Sequence, residues 1–256
     1  DGLDIALCTI SGSGFETKVT LEQFETAPYS DQFVKDIRVV FSKADVKLQD
    51  VTLLNAEIGI EHARLVKETL LKWNVSIKDV DAIASHGQTI FHAPKSFHKQ
   101  SSRPNATLQI GDGDHVAQRT GILTISDFRQ KHIANGGEGA PLAVYGDYLL
   151  FGQKGVDKIL LNIGGISNFT FLSGKLDGSK MFSTDVGPGN TLMDQYMQRY
   201  FSQPCDLDAI HASKGKLSIE LLEELLLHPF LKLEFPRTTG PELFGLDYVE
   251  SVLSKL

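Results

Sequence analysis

The chain has almost no cysteine, no long apolar run and no surplus of positive charge. Cys8 and Cys205 are the two cysteines in 256 residues. They match neither a metal-binding nor a clustered disulfide spacing, so both read as packing residues and a reducing cytoplasm is the expected compartment. No stretch reaches membrane-spanning length, and the first residues lack the pattern of a secretory signal. The net charge is −7 and no basic stripe interrupts it, so neither nucleic acid nor a membrane is an expected partner. The eight histidines form no H-x-x-x-H or H-E-x-x-H pattern, which argues against a zinc site held by the protein. Low-complexity tracts and short tandem repeats are also missing.

What is present is a globular chain long enough for one large or two smaller domains. Residues 4–10 read as a strand, Ser11-Gly12-Ser13-Gly14 as a hairpin connection and 17–26 as the return strand. Helices are expected over 31–42 and 53–73. In the second, Ala56, Ile60, Ala63, Val66, Leu70 and Trp73 recur at steps of three and four. A short buried strand over 81–85 ends in His86-Gly87-Gln88-Thr89, and 94–105 reads as a surface loop. A strand over 106–110, a short helix and a strand over 122–126 follow. Residues 135–142 form a glycine loop ahead of a helix that runs to about 151. Residues 158–173 read as a second hairpin turning at Gly164-Gly165, and a last helix covers about 216–227. Alternating strands and helices argue an α/β fold. The second hairpin looks like a fresh start, which places a domain boundary between residues 1–154 and 155–256.

The most informative stretch is Thr184-Asp185-Val186-Gly187-Pro188-Gly189-Asn190. Its glycines let the backbone approach a ligand, and the proline stiffens the turn. An amphipathic run with Leu192, Met193, Tyr196, Met197 and Tyr200 at helical spacing follows. Asp185 is therefore expected at a strand end facing a helix N-terminus, a geometry that suits a general base beside a phosphate. A carboxylate that merely caps the turn is the alternative. Gly164-Gly165 can turn backbone N–H groups toward a phosphate or form a plain β-turn. Arg129 can hold an anionic or hydroxylated ligand with its donor fork, or pair with Asp127. His86, Gln88 and Thr89 offer donors and acceptors suited to sugar hydroxyls, or cap a turn.

The order of these motifs is more specific than any one of them. Ser85-His86-Gly87-Gln88-Thr89 comes first, then Leu108-Gln109-Ile110-Gly111-Asp112, then Ser126-Asp127-Phe128-Arg129. Gly136-Gly137-Glu138-Gly139-Ala140-Pro141-Leu142 follows, then Asn162-Ile163-Gly164-Gly165-Ile166-Ser167-Asn168, then Asp185-Val186-Gly187-Pro188-Gly189-Asn190. This series resembles the anhydro-N-acetylmuramic acid kinase family along essentially the whole chain, and Thr238-Thr239-Gly240 extends the likeness.

The resemblance implies the two-domain fold shared by actin, heat-shock ATPases and sugar kinases, with a ligand cleft between the domains. It also implies ATP and Mg²⁺, the ion's ligands being unassigned, and a tendency to form homodimers. The implied reaction opens the internal C1–O6 bridge of 1,6-anhydro-N-acetylmuramic acid with water and phosphorylates O6, a step in cell-wall recycling. By motif position Asp185 is the base. Asp1 and Gly2 correspond to the end of the first phosphate loop, which reads Gly-Thr-Ser-x-Asp-Gly in the family, and Gly164 and Gly165 correspond to the second. Gly187 and Gly189 join the nucleotide side; Gln88, Thr89 and Arg129 map onto the sugar side. The family continues past the position of Leu256 into a glycine-rich adenosine motif, so a partial chain is expected. His132, Glu138 and Val186 stand where many members have Asp, Gln and Thr. A kinase of 1,6-anhydroglucose shares the same architecture and base, and a non-catalytic or chaperone-like protein of the same fold is the reading from a different class.

Overall fold

The computed structural model describes residues 2–140, 142–239 and 243–256. Its strands and helices interleave in a mixed α/β arrangement, divided into two compact units, Asp1–Leu142 and Ala143–Leu256.

In the first unit, β1 (Gly2–Ser11) and β2 (Lys18–Pro28) pair antiparallel, with Gly2 opposite Pro28. A side chain at position 2 would run into the Ala27 carbonyl, so a glycine is required there by strand pairing alone. Helix α1 (Asp31–Val40) starts at Ser30, whose Oγ accepts the Phe33 N–H at 3.2 Å. Helix α2 (Leu48–Lys72) begins five residues before the expected position. Ile37 and Val40 of α1 and Leu54 and Ile58 of α2 bury their side chains together with Ile90 and Ile110.

Strands β3 (Ala82–Ser85) and β6 (Leu123–Ser126) run parallel. Between them in sequence lie β4 (Gln88–Ala93), α3 (Lys95–His98), β5 (Ala106–Ile110) and α4 (Gly113–Thr120). Strands β4 and β5 pair antiparallel, and their register slips between Thr89 and Phe91. The sequence reading has no strand over 88–93. The slip leaves Ile90 as an extra residue, so Ile90 and Phe91 sit side by side and the alternation that marks a strand is broken. Helix α5 (Phe128–Ala134) is also absent from the sequence reading: it starts at Asp127 in left-handed backbone (φ 60°) with no side-chain cap.

The second unit begins with α6 (Ala143–Phe151), twelve residues before the boundary expected from the hairpin. The helix belongs there because its polar groups are satisfied there. Thr170 Oγ1 donates to Asp147 Oδ2 at 3.0 Å, and the Tyr148 hydroxyl donates to the Leu176 carbonyl at 2.8 Å. Strands β7 (Lys158–Ile163), β8 (Ile166–Leu172) and β9 (Phe182–Pro188) form an antiparallel sheet in that order. Helices α7 (Asn190–Phe201), α8 (Ile219–Leu226) and α9 (Leu246–Leu253) complete the unit. Among the described residues no helix is long and apolar enough to cross a membrane.

His62, on α2, is 4% exposed, and its Nε2 lies 2.8 Å from the Tyr29 hydroxyl. Burial pushes the His62 imidazole down to about 4, against an ordinary value of 6.5, and pushes the Tyr29 phenol up to about 12. Between these two histidine values the unfolded chain takes up a proton that the folded chain refuses. Stability is therefore whole above about pH 6.5 and falls as pH drops toward 4, by at most about 1.4 kcal/mol per pH unit from this group. Urea melts across that window should show the slope, and His62→Gln should flatten it; an unchanged slope contradicts the assignment.

Candidate active site

In the first unit a cavity of about 380 Å³ opens at the carboxyl ends of the parallel strands β3 and β6, beside β5. Crevices at such strand ends are the usual ligand position in α/β sheets. Hydroxyl, amide and carboxylate groups predominate in its lining: Ser85, Ser126, Asn55, Gln130, Asp112 and Asp127. Helix α2 holds the floor. Asn55 Oδ1 accepts the Gly111 N–H at 2.9 Å and its carbonyl accepts the Asp112 N–H at 3.0 Å. One turn on, a side chain at Gly59 would meet the Asp112 carbonyl at 2.5 Å. Burial raises the Asp127 carboxyl above the usual carboxylate range.

Arg129 does not pair with Asp127. Its Nε donates to His86 Nε2 at 2.8 Å and its Nη1 to the Gly139 carbonyl at 2.7 Å, and burial lowers its pKa from the ordinary value. Because a guanidinium can only donate, His86 Nε2 is the unprotonated nitrogen. His86 Nδ1 then carries the proton and donates to the Gly87 carbonyl at 2.9 Å. Arg129 thus reaches the cavity through His86, which is among its lining residues. The same glycine loop is held from its other side, where the Gly139 N–H donates to His132 Nδ1 at 3.1 Å. Gln88 and Thr89 lie on β4, outside the cavity lining. Gln88 Nε2 donates to the Thr89 carbonyl at 3.2 Å. Gln109 Nε2 donates to the Thr89 hydroxyl at 3.2 Å and the Thr107 hydroxyl at 2.8 Å, while its Oε1 is buried without a partner among the described residues.

In the second unit Asp185 lies within β9, not at its end, with three strand residues after it. Asn168 opposes Asp185 and Ser167 opposes Gly187, which leaves Val186 as a bulge. A bulge turns the neighbouring side chain out of the regular pleat. Asp185 Oδ2 accepts the Thr239 N–H at 2.8 Å. Burial raises its pKa above the usual carboxylate range, and that hydrogen bond opposes the shift.

The first amides of α7 are already bonded to protein. Those of Gly189 and Thr191 donate to the Gly165 carbonyl at 2.9 and 3.2 Å, and that of Asn190 to the Gly164 carbonyl at 2.7 Å. The hairpin turn therefore offers carbonyls, not amides, to the helix start. Across each planar trans peptide the N–H points opposite to the C=O. The N–H groups of Gly165 and Ile166 accordingly face away from α7. A side chain at Gly189 would strike the Gly164 carbonyl, and one at Gly165 would approach Thr191 Oγ1. Gly187 is buried in β9. The structure thus groups Gly164, Gly165, Gly187, Gly189 and Asp185 on β7–β9 and the start of α7, and Gln88, Thr89 and Arg129 in the first unit. Asp1 lies outside the described residues. Among those residues no three His, Cys, Asp or Glu side chains gather into a metal-binding group.

The residue that sequence reasoning misses is Arg237, which reads from sequence as part of a turn. Its guanidinium donates to four carbonyls: Asp185 (3.2 Å), Val186 (2.9 Å), Phe230 (3.0 Å) and Leu233 (2.8 Å). It also stacks between the Phe230 and Phe235 rings, 4.6 and 4.5 Å from their centroids. The likeness continuing through Thr238-Thr239-Gly240 was the one available signal.

A fold of this kind, with a half-buried carboxylate on a bulged strand beside a glycine hairpin, defines a mixed α/β protein. The family model for anhydro-N-acetylmuramic acid kinase matches residues 1–256, and the chain belongs to that family. It is 58% identical over 250 residues to the anhydro-N-acetylmuramic acid kinase of Pseudoalteromonas atlantica, covering 97% of this chain and 62% of the relative. Its identity to the same-named protein of Pseudoalteromonas translucida is 50%, covering 98% and 63%. For a same-named protein of Bacillus cereus it is 38%, covering 100% and 66%. The chain thus spans less than two thirds of the length of these relatives.

Proposed function

We propose that this chain carries the sugar-side groups and the general base of an ATP-dependent kinase. In this reading the enzyme opens 1,6-anhydro-N-acetylmuramic acid and delivers the phosphoryl group to O6. The observation that carries it is Asp185: half-buried, set by a bulge, one oxygen tied to the Thr239 N–H, and lying at the position of the family's Asp-x-Gly-Pro-Gly-Asn motif. The fold and the family membership support it.

Asp185 takes one proton from a water molecule, whose oxygen bonds to C1. The C1–O6 bond breaks with its electron pair on O6. That oxygen attacks the γ-phosphorus, ADP leaves, and the proton on Asp185 passes to solvent. A base is useful here only when ionised, so burial that raises its pKa makes it a stronger base but moves the acid limb of turnover to higher pH. The outward N–H groups of Gly165 and Ile166 are the donors we assign to phosphate oxygens. Arg129 orients His86 at the cavity, whose hydroxyl, amide and carboxylate lining suits the hydroxyls of a sugar ring. Asp1 and Gly2 remain assigned to the first phosphate loop by motif position. Mg²⁺ supplies charge neutralisation on the phosphates when it enters with nucleotide. No protein cage for it is assigned, and no step above depends on one.

The test is substrate choice in the full-length protein. Phosphoryl transfer to 1,6-anhydro-N-acetylmuramic acid should exceed transfer to 1,6-anhydroglucose. The reverse order would move the assignment to the anhydroglucose kinase, and ATP hydrolysis stimulated by unfolded peptide would move it to a chaperone-like protein.

A further inference from the structure

Residues 237–239 lie against β9 as a second layer behind the base. The Asp185 N–H donates to the Arg237 carbonyl at 2.9 Å. The Arg237 N–H donates to Thr184 Oγ1 at 2.8 Å, and that hydroxyl lies 3.1 Å from the Arg237 carbonyl. Thr184 is 3% exposed, so this exchange is shielded from water. With the four carbonyls and two rings already described, Arg237 joins this segment to β9 on one side and to Phe230 and Leu233 on the other. Its described side-chain hydrogen bonds all go to carbonyl oxygens, a use of arginine that holds backbone in place rather than binding an acid.

Two residues along, the backbone N–H of Thr239 holds Asp185 Oδ2. The Thr239 hydroxyl, close by, is buried and has no hydrogen-bond partner among the described residues. A buried hydroxyl without a partner destabilises a fold, and valine would fill nearly the same volume without that penalty. The hydroxyl therefore calls for an explanation other than packing. Because the N–H of the same residue holds Asp185 Oδ2, this hydroxyl belongs to the immediate surroundings of the carboxylate.

We infer that Arg237 is a positioning residue for Asp185, and that Thr239 contacts the reacting water. The Thr239 N–H fixes Oδ2 so that Oδ1 takes the proton, while the hydroxyl accepts the hydrogen bond from the water's second proton. This inference rests on the kinase reading for the identity of the water, but not for the clamp on Asp185.

Two experiments on the full-length protein test it. Thr239→Val should leave the melting temperature unchanged or raised, leave KM for ATP unchanged, and lower kcat by about ten-fold or more; Thr239→Ser should recover most of that loss. A valine variant whose kcat stays within about two-fold of the parent overturns the role of the hydroxyl. Arg237→Lys keeps the charge but loses the fork, so Thr239 no longer holds the ionised carboxylate. Carbon-13 NMR titration of Asp185 should then move to higher pH, and the acid limb of kcat with it. An unmoved titration overturns the clamp. Should the parent protein transfer no phosphoryl group, the kinase reading and the water's role fail, while the NMR titration still decides the clamp.

Discussion

Asp185→Asn in the full-length protein lowers kcat by about 10²–10⁴-fold, the range a positioned general base contributes. The substitution changes protonation chemistry and hardly changes volume. The asparagine retains an oxygen for the Thr239 N–H that Asp185 Oδ2 accepts at 2.8 Å, so the segment behind β9 should stay in place. KM for the sugar and the thermal melt should therefore stay close to the parent's. Removing a half-buried carboxylate whose pKa burial has raised also removes a small stability cost present at neutral pH. The sign follows from that shift: such a group favours the folded state below its ordinary pKa and loses that advantage as pH rises through the folded value. Steady-state kinetics beside a melting curve separate the outcomes. Near-parent kcat would remove Asp185 from the chemistry, and a collapsed melt would make it a structural residue.

A large loss of stability is expected at Ile58. Its side chain is fully buried among Ile37, Val40, Leu54, Ile90 and Ile110. It joins α1 and α2 to β4 and β5, and a side chain at Gly111, on the cavity wall, would meet its Cγ2 at 2.8 Å. Ile58→Ala should cost about 2–5 kcal/mol, the usual effect of a cavity left by a buried isoleucine. It should also loosen Gly111 and Asp112, so sugar affinity falls with it. Leu71→Ala lies on the same helix but is 80% exposed, and should stay within about 0.5 kcal/mol of the parent. Urea melts of the two variants check the contrast. Equal effects would mean that α2 does not organise the first unit as described.

Much of this was legible in the sequence, and the failures have physical causes. Hairpins and long helices were readable because their apolar spacing and glycine turns are local signals, as in α2 and the turn at Gly164-Gly165. Strand β4 was hidden because the slip at Ile90 breaks its alternation. The second compact unit starts twelve residues before the boundary expected from the hairpin, with α6 tied to it by Asp147 and Tyr148 through partners 23 and 28 residues away. At the candidate site the motif order singled out Asp185 and Arg129, but no spacing rule says what a guanidinium reaches. Arg129 turns out to hold His86 and the glycine loop. Arg237 acts through carbonyls more than 50 residues earlier in the chain, a relation only the fold creates. The expectation that Asp185 ends its strand failed because β9 runs on through Pro188, and the Asn190 and Thr191 amides at the start of α7 donate to the Gly164 and Gly165 carbonyls.

The most direct measurement incubates the full-length protein with ATP and 1,6-anhydro-N-acetylmuramic acid in ¹⁸O-labelled water and reads the product by mass spectrometry and NMR. Attack by an Asp185-activated water predicts N-acetylmuramic acid 6-phosphate with one labelled oxygen, on C1, and none in the phosphate. Label in the phosphate, a phosphorylated sugar whose bridge is still closed, or no phosphorylated sugar at all would contradict it.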